Sequence, residues 1–142
     1  MAHANPPRCY TPKVMLETFR EFEPGLDPFG RKWHVHFRWL QTATSIRHAD
    51  TVDVKFGVSA DGAPFEERIV ALPLPILLDL SHRTGIPLSD GWCLKLGALH
   101  LQHMIESGED VEKTLVTTSA DELSGYASQL KKQAEAKIAA LA

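Results

Sequence analysis

Residues 33–39 read Trp33-His34-Val35-His36-Phe37-Arg38-Trp39, and this stretch decides how the first half of the chain folds. Large apolar side chains occupy every second position, and His34, His36 and Arg38 lie between them. Successive side chains of a β-strand point to opposite faces of its sheet. The alternation therefore predicts a strand with one buried face and one polar face. Both histidines and the arginine are expected on the polar face.

The same period of two recurs after this stretch. Residues 52–58 alternate apolar and polar side chains, and residues 65–72 supply a third run rich in apolar residues. Asp61-Gly62 between these two runs is typical of a tight hairpin turn, and residues 48–50 are typical of a short turn after the first strand. The sequence therefore predicts a three-stranded antiparallel meander over residues 33–72.

Capping and stop residues in the second half of the chain predict three helices, at about 75–84, 89–107 and 120–138. Ser89 and Ser119 suit the position before a helix, and Glu122 completes a capping box with Ser119. Gly85 and Gly108 suit the left-handed residue that ends a helix. Residues 109–118 fit either a short strand or a loop.

The length and composition of the chain indicate one domain. It has 142 residues, of which 44% are hydrophobic and 23% charged, and these values are ordinary for a folded domain of this size. The predicted fold is a single α+β domain over residues 1–142, with the meander packed against the three C-terminal helices. An irregular arm is expected at 1–12, and a helical tail at 131–142 that projects or pairs with a symmetry mate.

Charge and hydropathy argue against several classes of function. The formal net charge is -3 and the pI is about 6.1, so there is no overall positive field to attract nucleic acid or anionic lipid. No apolar run approaches the roughly 20 residues needed to span a bilayer, and the N-terminus lacks the features of a signal peptide. A cytoplasmic protein with two free thiols, Cys9 and Cys93, is therefore expected.

Three interpretations of the polar strand face remain open. His34, His36 and Arg38 together could bind an anion such as a phosphate or a carboxylate. Alternatively, His34 and His36 could bind zinc or another divalent metal. Zinc sites in enzymes usually have three protein ligands, and the third could be His48 or, from a neighbouring strand, Asp53, Glu66 or Glu67. The third interpretation is a solvated sheet face that binds nothing.

The second helix is apolar around most of its circumference, which predicts burial on both sides. In a chain of this length, one side is expected to contact the sheet and the other a further helix or a second subunit. Leu96, Leu99, His100 and His103 are the predicted interface residues. The sequence therefore predicts a homodimer.

The usual catalytic signatures are missing from the sequence, namely the GxSxG elbow, the phosphate-binding loop and the dinucleotide-binding glycine motif. This favours a small non-catalytic cytoplasmic protein that acts through homo-oligomerisation or through binding a partner. The alternative is a metal-binding protein or a metal-dependent enzyme that uses His34 and His36. No cofactor other than such a metal is expected, and the sequence does not identify a small-molecule ligand.

Overall fold

The computed structural model of the protein describes residues 19–43 and 50–141, and this part of the chain forms five strands and three helices. In chain order these are β1 (Glu21–Phe22), β2 (Trp33–Ala43), β3 (Thr51–Ala60), β4 (Glu66–Pro73), α1 (Leu74–Thr84), α2 (Asp90–Ser107), β5 (Leu115–Thr117) and α3 (Ala120–Leu141). The α+β class predicted from the sequence is confirmed. The arm predicted at 1–12 and the turn predicted at 48–50 lie wholly or largely outside the described ranges.

The strands form one mixed sheet in the order β1-β2-β3-β4-β5, so the prediction of a three-stranded antiparallel meander was wrong. The three long strands do pair antiparallel with their neighbours. However, β1 adds to β2 in antiparallel orientation, and β5 adds to β4 in parallel orientation. These two strands have only two and three residues, which is too few to show a period of two in the sequence.

A β-bulge at Arg38 changes which side chains of β2 share a face. Phe37 pairs with Phe56 and Trp39 pairs with Lys55, so Arg38 is an extra residue without a partner on β3. After the bulge, Trp39 lies on the outer face of the sheet beside Lys55, whose Nζ is 5.0 Å from the ring centroid. Trp39 is 36% exposed. The sequence prediction that it joins the buried face with Trp33 was therefore wrong.

The helix ends follow the sequence prediction closely. The Ser89 hydroxyl accepts a hydrogen bond from the Trp92 backbone N–H at 3.2 Å. Ser119 and Glu122 form the reciprocal capping box, at 2.9 and 3.1 Å. Gly85 and Gly108 adopt the left-handed conformation that ends a helix. α3 continues through the predicted tail to Leu141, and its residues 131–136 are exposed.

The core lies between the inner face of the sheet and the helices, and α2 is its central element. Eleven of the 18 residues of α2 are buried, and eight of them pack in one hydrophobic cluster with strand residues such as Val54 and with Leu123 of α3. Gly97 is the point of closest approach: a Cβ built there would lie 3.1 Å from Cβ of Val54. The absence of a side chain at Gly97 therefore lets α2 lie close to β3.

We predict that Gly97→Ala lowers the free energy of unfolding by about 1–3 kcal/mol, because Val54 is fixed to the strand backbone and cannot rotate away. Gly125→Ala in α3 is the matched control, since a Cβ there meets no atom within 4 Å. That control should raise the same free energy by up to about 1 kcal/mol through helix propensity. Urea unfolding measures both, and equal effects of the two substitutions would contradict close packing at Gly97.

Asp27 organises the loop between β1 and β2. Its buried carboxylate accepts hydrogen bonds from the backbone N–H groups of Phe29 and Arg31, from Nε of Arg31 and from the indole N–H of Trp33, at 2.6–2.9 Å. Burial opposes ionisation and raises the pKa of Asp27, but these hydrogen bonds outweigh it and lower the pKa to about 2. The charged carboxylate therefore ties the loop to the start of β2.

The lowered pKa of Asp27 predicts how its contribution to stability depends on pH. Because the pKa is below its ordinary value of 3.8, the stabilisation is fully present above that value and is lost as the pH falls towards about 2. Asp27→Asn should lower the melting temperature at pH 7 and flatten its decrease between pH 4 and 2. An unchanged acid profile in Asp27→Asn, measured by circular dichroism, would show that another group is responsible.

Candidate functional site

The predicted site residues His34 and His36 lie on the outer face of the sheet, where they have different surroundings. His34 Nε2 is 3.0 Å from the Glu21 carboxylate on β1, and its Nδ1 is 3.9 Å from Glu23. The His36 ring contacts the ring of Phe65 at a centroid distance of 4.7 Å. His34 therefore has carboxylate partners on both sides, whereas the neighbour of His36 is aromatic.

Arg38 joins His36 above Gly57 of β3. A Cβ built on Gly57 would lie 2.7 Å from Nε and 2.9 Å from Nη2 of Arg38, and 2.9 Å from Nε2 of His36. The guanidinium and the imidazole are therefore packed side by side against the strand backbone. The structure thus brings together two of the three residues predicted to bind an anion, with His34 nearby but paired to Glu21.

The predicted metal site gains no third ligand from the described residues. Within them, no group of three or more histidine, cysteine, aspartate or glutamate side chains is arranged to hold a metal ion. His48, one of the predicted third ligands, lies outside the described ranges. The metal site at His34 and His36 therefore stays a prediction.

The predicted interface residues of α2 divide into two groups. Leu96 and Leu99 are 0% and 6% exposed within a single chain. Packing within the chain therefore already buries both leucines without a second subunit. His100 is 5% exposed, and half of the His103 side chain is exposed. The homodimer stays a prediction, to be tested by sedimentation.

His100 and His103 line a cleft at the junction of α2, β5 and the start of α3. The cleft has a volume of about 310 Å³. Its lining side chains are largely polar and come from four consecutive segments: His100, His103, Met104, Glu109, Asp110, Lys113, Leu115, Val116, Thr117 and Glu122. A concave site with several convergent polar groups is the usual form of a small-ligand site.

His100 lines the cleft and is buried, and its ring contacts Tyr126 of α3. Nδ1 of His100 and the hydroxyl of Tyr126 are 2.8 Å apart and hydrogen bonded. Burial lowers the pKa of His100; the carboxylates of Glu122, Asp110 and Glu109 act against this, and His103 adds to it. Burial and the nearby carboxylates raise the pKa of Tyr126 to about 12. Both groups are therefore uncharged at neutral pH.

The rim of the cleft carries charged side chains. Lys113 Nζ lies 3.0 Å from a carboxylate oxygen of Asp110, and His103 Nε2 lies 3.4 Å from Glu109. One oxygen of Glu122 accepts the capping hydrogen bond from the backbone of Ser119. With neutral histidines, the lining has three carboxylates and one ammonium group, so its field is negative.

Sequence reasoning missed most of this cleft. Tyr126 and His100 are 26 positions apart on different helices, and no local pattern links them. The sequence did single out Glu122, but the capping box with Ser119 fully explained a glutamate at that position. Cys93 lies away from the cleft, in the core: burial and the charge of Asp90 raise its pKa to about 11, which keeps the thiol protonated.

Comparison with known proteins assigns no family to this chain. No known protein family, no curated protein and no solved structure matches it. Among the residues that the structure describes, no helix combines the length and the apolar character needed to cross a membrane.

The buried His100 should make stability depend on pH in a defined direction. Its pKa in the folded protein is below the ordinary value of 6.5, so the stabilisation is present above that pH and is lost as the pH falls below it. In His100→Gln, the decrease in melting temperature between pH 7.5 and 5.5 should shrink. Tyr126→Phe should keep the decrease, because burial is its main cause. A full decrease in His100→Gln would contradict this assignment.

Proposed function

We propose that the protein is a non-catalytic binding protein whose cleft between α2 and α3 binds a small organic cation, such as a primary amine. The observation that carries the proposal is the combination of a negative rim with a buried, uncharged imidazole at the base of the cleft. A cation is attracted by the rim and donates hydrogen bonds to the base. Neither step requires a nucleophile or a cofactor.

The charge balance of the rim favours a cation over an anion. Lys113 is paired with Asp110 at 3.0 Å, so the ammonium and one carboxylate largely cancel. The carboxylates of Glu109 and Glu122 then supply the net negative charge of the rim. His103 offsets the charge of Glu109 only when the His103 ring is protonated. An ammonium group entering the cleft would interact favourably with both carboxylates.

His100 supports the orientation of the ligand. Its Nδ1 is used by Tyr126, and Nε2 has no hydrogen-bond partner among the residues that the structure describes. When Nδ1 carries the ring proton, Nε2 is an acceptor, and an N–H group of a cation is a suitable donor to it. Burial keeps this imidazole neutral, so it would not repel the positive charge.

The proposal is tested by titrating the protein with three compounds of the same length and different charge: putrescine, 1,4-butanediol and butyrate. Isothermal titration calorimetry at pH 7.5 and low salt should detect binding of putrescine alone. Raising the ionic strength should weaken this binding, because exposed charges are screened by salt. Equal or tighter binding of butyrate would rule out the proposal.

A matched pair of variants locates the site. Glu109→Gln removes a rim carboxylate and should weaken putrescine binding roughly three-fold, which is typical of one exposed charge pair. Glu112→Gln makes the same change in the same segment but outside the cleft lining, and it should leave the affinity unchanged. Equal effects of both variants would mean that putrescine responds to overall charge and not to the cleft.

A further inference from the structure

We propose that Arg38 and His36, packed against Gly57 on the outer face of the sheet, form a binding site for an oxyanion of the phosphate or carboxylate class. This site shares no residue with the cleft between α2 and α3, so it does not depend on the cation proposed there. Three nitrogen atoms lie together above Gly57: Nε and Nη2 of Arg38, which are donors, and Nε2 of His36, which donates when it carries the ring proton. Oxyanions are the ligands that such donors bind most strongly.

The neighbouring carboxylates already have other partners. Glu21 lies opposite His36 on β1, but its carboxylate is 3.0 Å from His34. Glu67 lies opposite Gly57 on β4, but its carboxylate is 2.7 Å from Lys55 Nζ. Across the described part of the chain, the Arg38 guanidinium has neither an ion pair nor a hydrogen bond. Arg38 is exposed, and its fixed positive charge has no counter-charge from the residues that the structure describes.

Gly57 has no side chain, and this leaves room above β3 for Arg38 and His36. The residue lies in the interior of β3, where a glycine weakens a strand. Its φ is not positive, so the backbone conformation itself accepts any side chain. A Cβ at this position would lie within 3 Å of Arg38 and His36, so a side chain here would have to displace the ends of those two side chains. A glycine in a strand often marks such a close approach.

The bulge and Phe65 define the rest of the site. A β-bulge redirects the side chain of the extra residue, and bulges are frequent beside functional sites. Here the extra residue is Arg38 itself. Phe65 contacts the His36 ring at 4.7 Å and is 44% exposed. Its ring therefore covers one side of the imidazole, and Arg38 beside it is an exposed residue.

Titration of the full chain with inorganic phosphate and with acetate tests the proposal, using ¹⁵N-detected NMR shifts of residues 36–38 and 57. Phosphate should bind, and Arg38→Gln should weaken it at least ten-fold through loss of two charge-assisted hydrogen bonds. Acetate binding with the same dependence on Arg38 would support an oxyanion site open to both classes, and binding of phosphate alone would restrict it to phosphate. Binding of neither would overturn it.

Gly57→Ala gives the sharper test, because it keeps both donors and moves them. The substitution should weaken phosphate binding several-fold while the melting temperature stays at or above that of the wild type, since the displaced groups lie on the exposed face. The matched controls are Gly125→Ala and Arg83→Gln, which make the same changes away from the site. Wild-type affinity in Gly57→Ala, or an equal loss in Arg83→Gln, would overturn the proposed site.

Discussion

The close approach of α2 to β3 at Gly97 is the constraint on which the rest of the structure depends. With this helix buried along most of its length, α3 packs beside it and α1 packs against α3 and β4. Leu77 of α1 and Leu123 of α3 thereby join the core. The C-terminal half of α2 then supplies His100 and His103 to the cleft. The geometry of the cleft therefore follows from a packing contact on another part of the same helix.

The sequence predicted those elements whose signals are local. The period of two identifies β2, β3 and β4, and the capping residues Ser89 and Ser119 mark where two helices begin. The bulge at Arg38 was not predictable, because the alternation of WHVHFRW continues through it without interruption. Only pairing with β3 shows that Phe37 and Trp39 face opposite sides. Likewise, the short strands β1 and β5 form by pairing with β2 and β4, and their own sequences show no strand pattern.

The two candidate sites also differ in how far the sequence could predict them. His34, His36 and Arg38 share one strand, so their common face could be predicted, although the role of Gly57 and the pairing of His34 with Glu21 could not. The cleft joins residues from α2, the following segment, β5 and α3. Its charges are brought together by tertiary packing alone, and the sequence offered only His100 and His103, with an interface as their predicted role.

Arg38 has no partner in the ladder between β2 and β3. The residue at this position is therefore not subject to the requirements that the paired residues of the strand must meet. The paired residues must fit the register of the sheet and the packing of the core, whereas the extra residue contributes to neither. Different side chains at this position would therefore alter the chemistry of the outer face at little cost to folding. A strand with an extra, unpaired residue can thus acquire or lose a binding preference while the sheet that supports it remains the same.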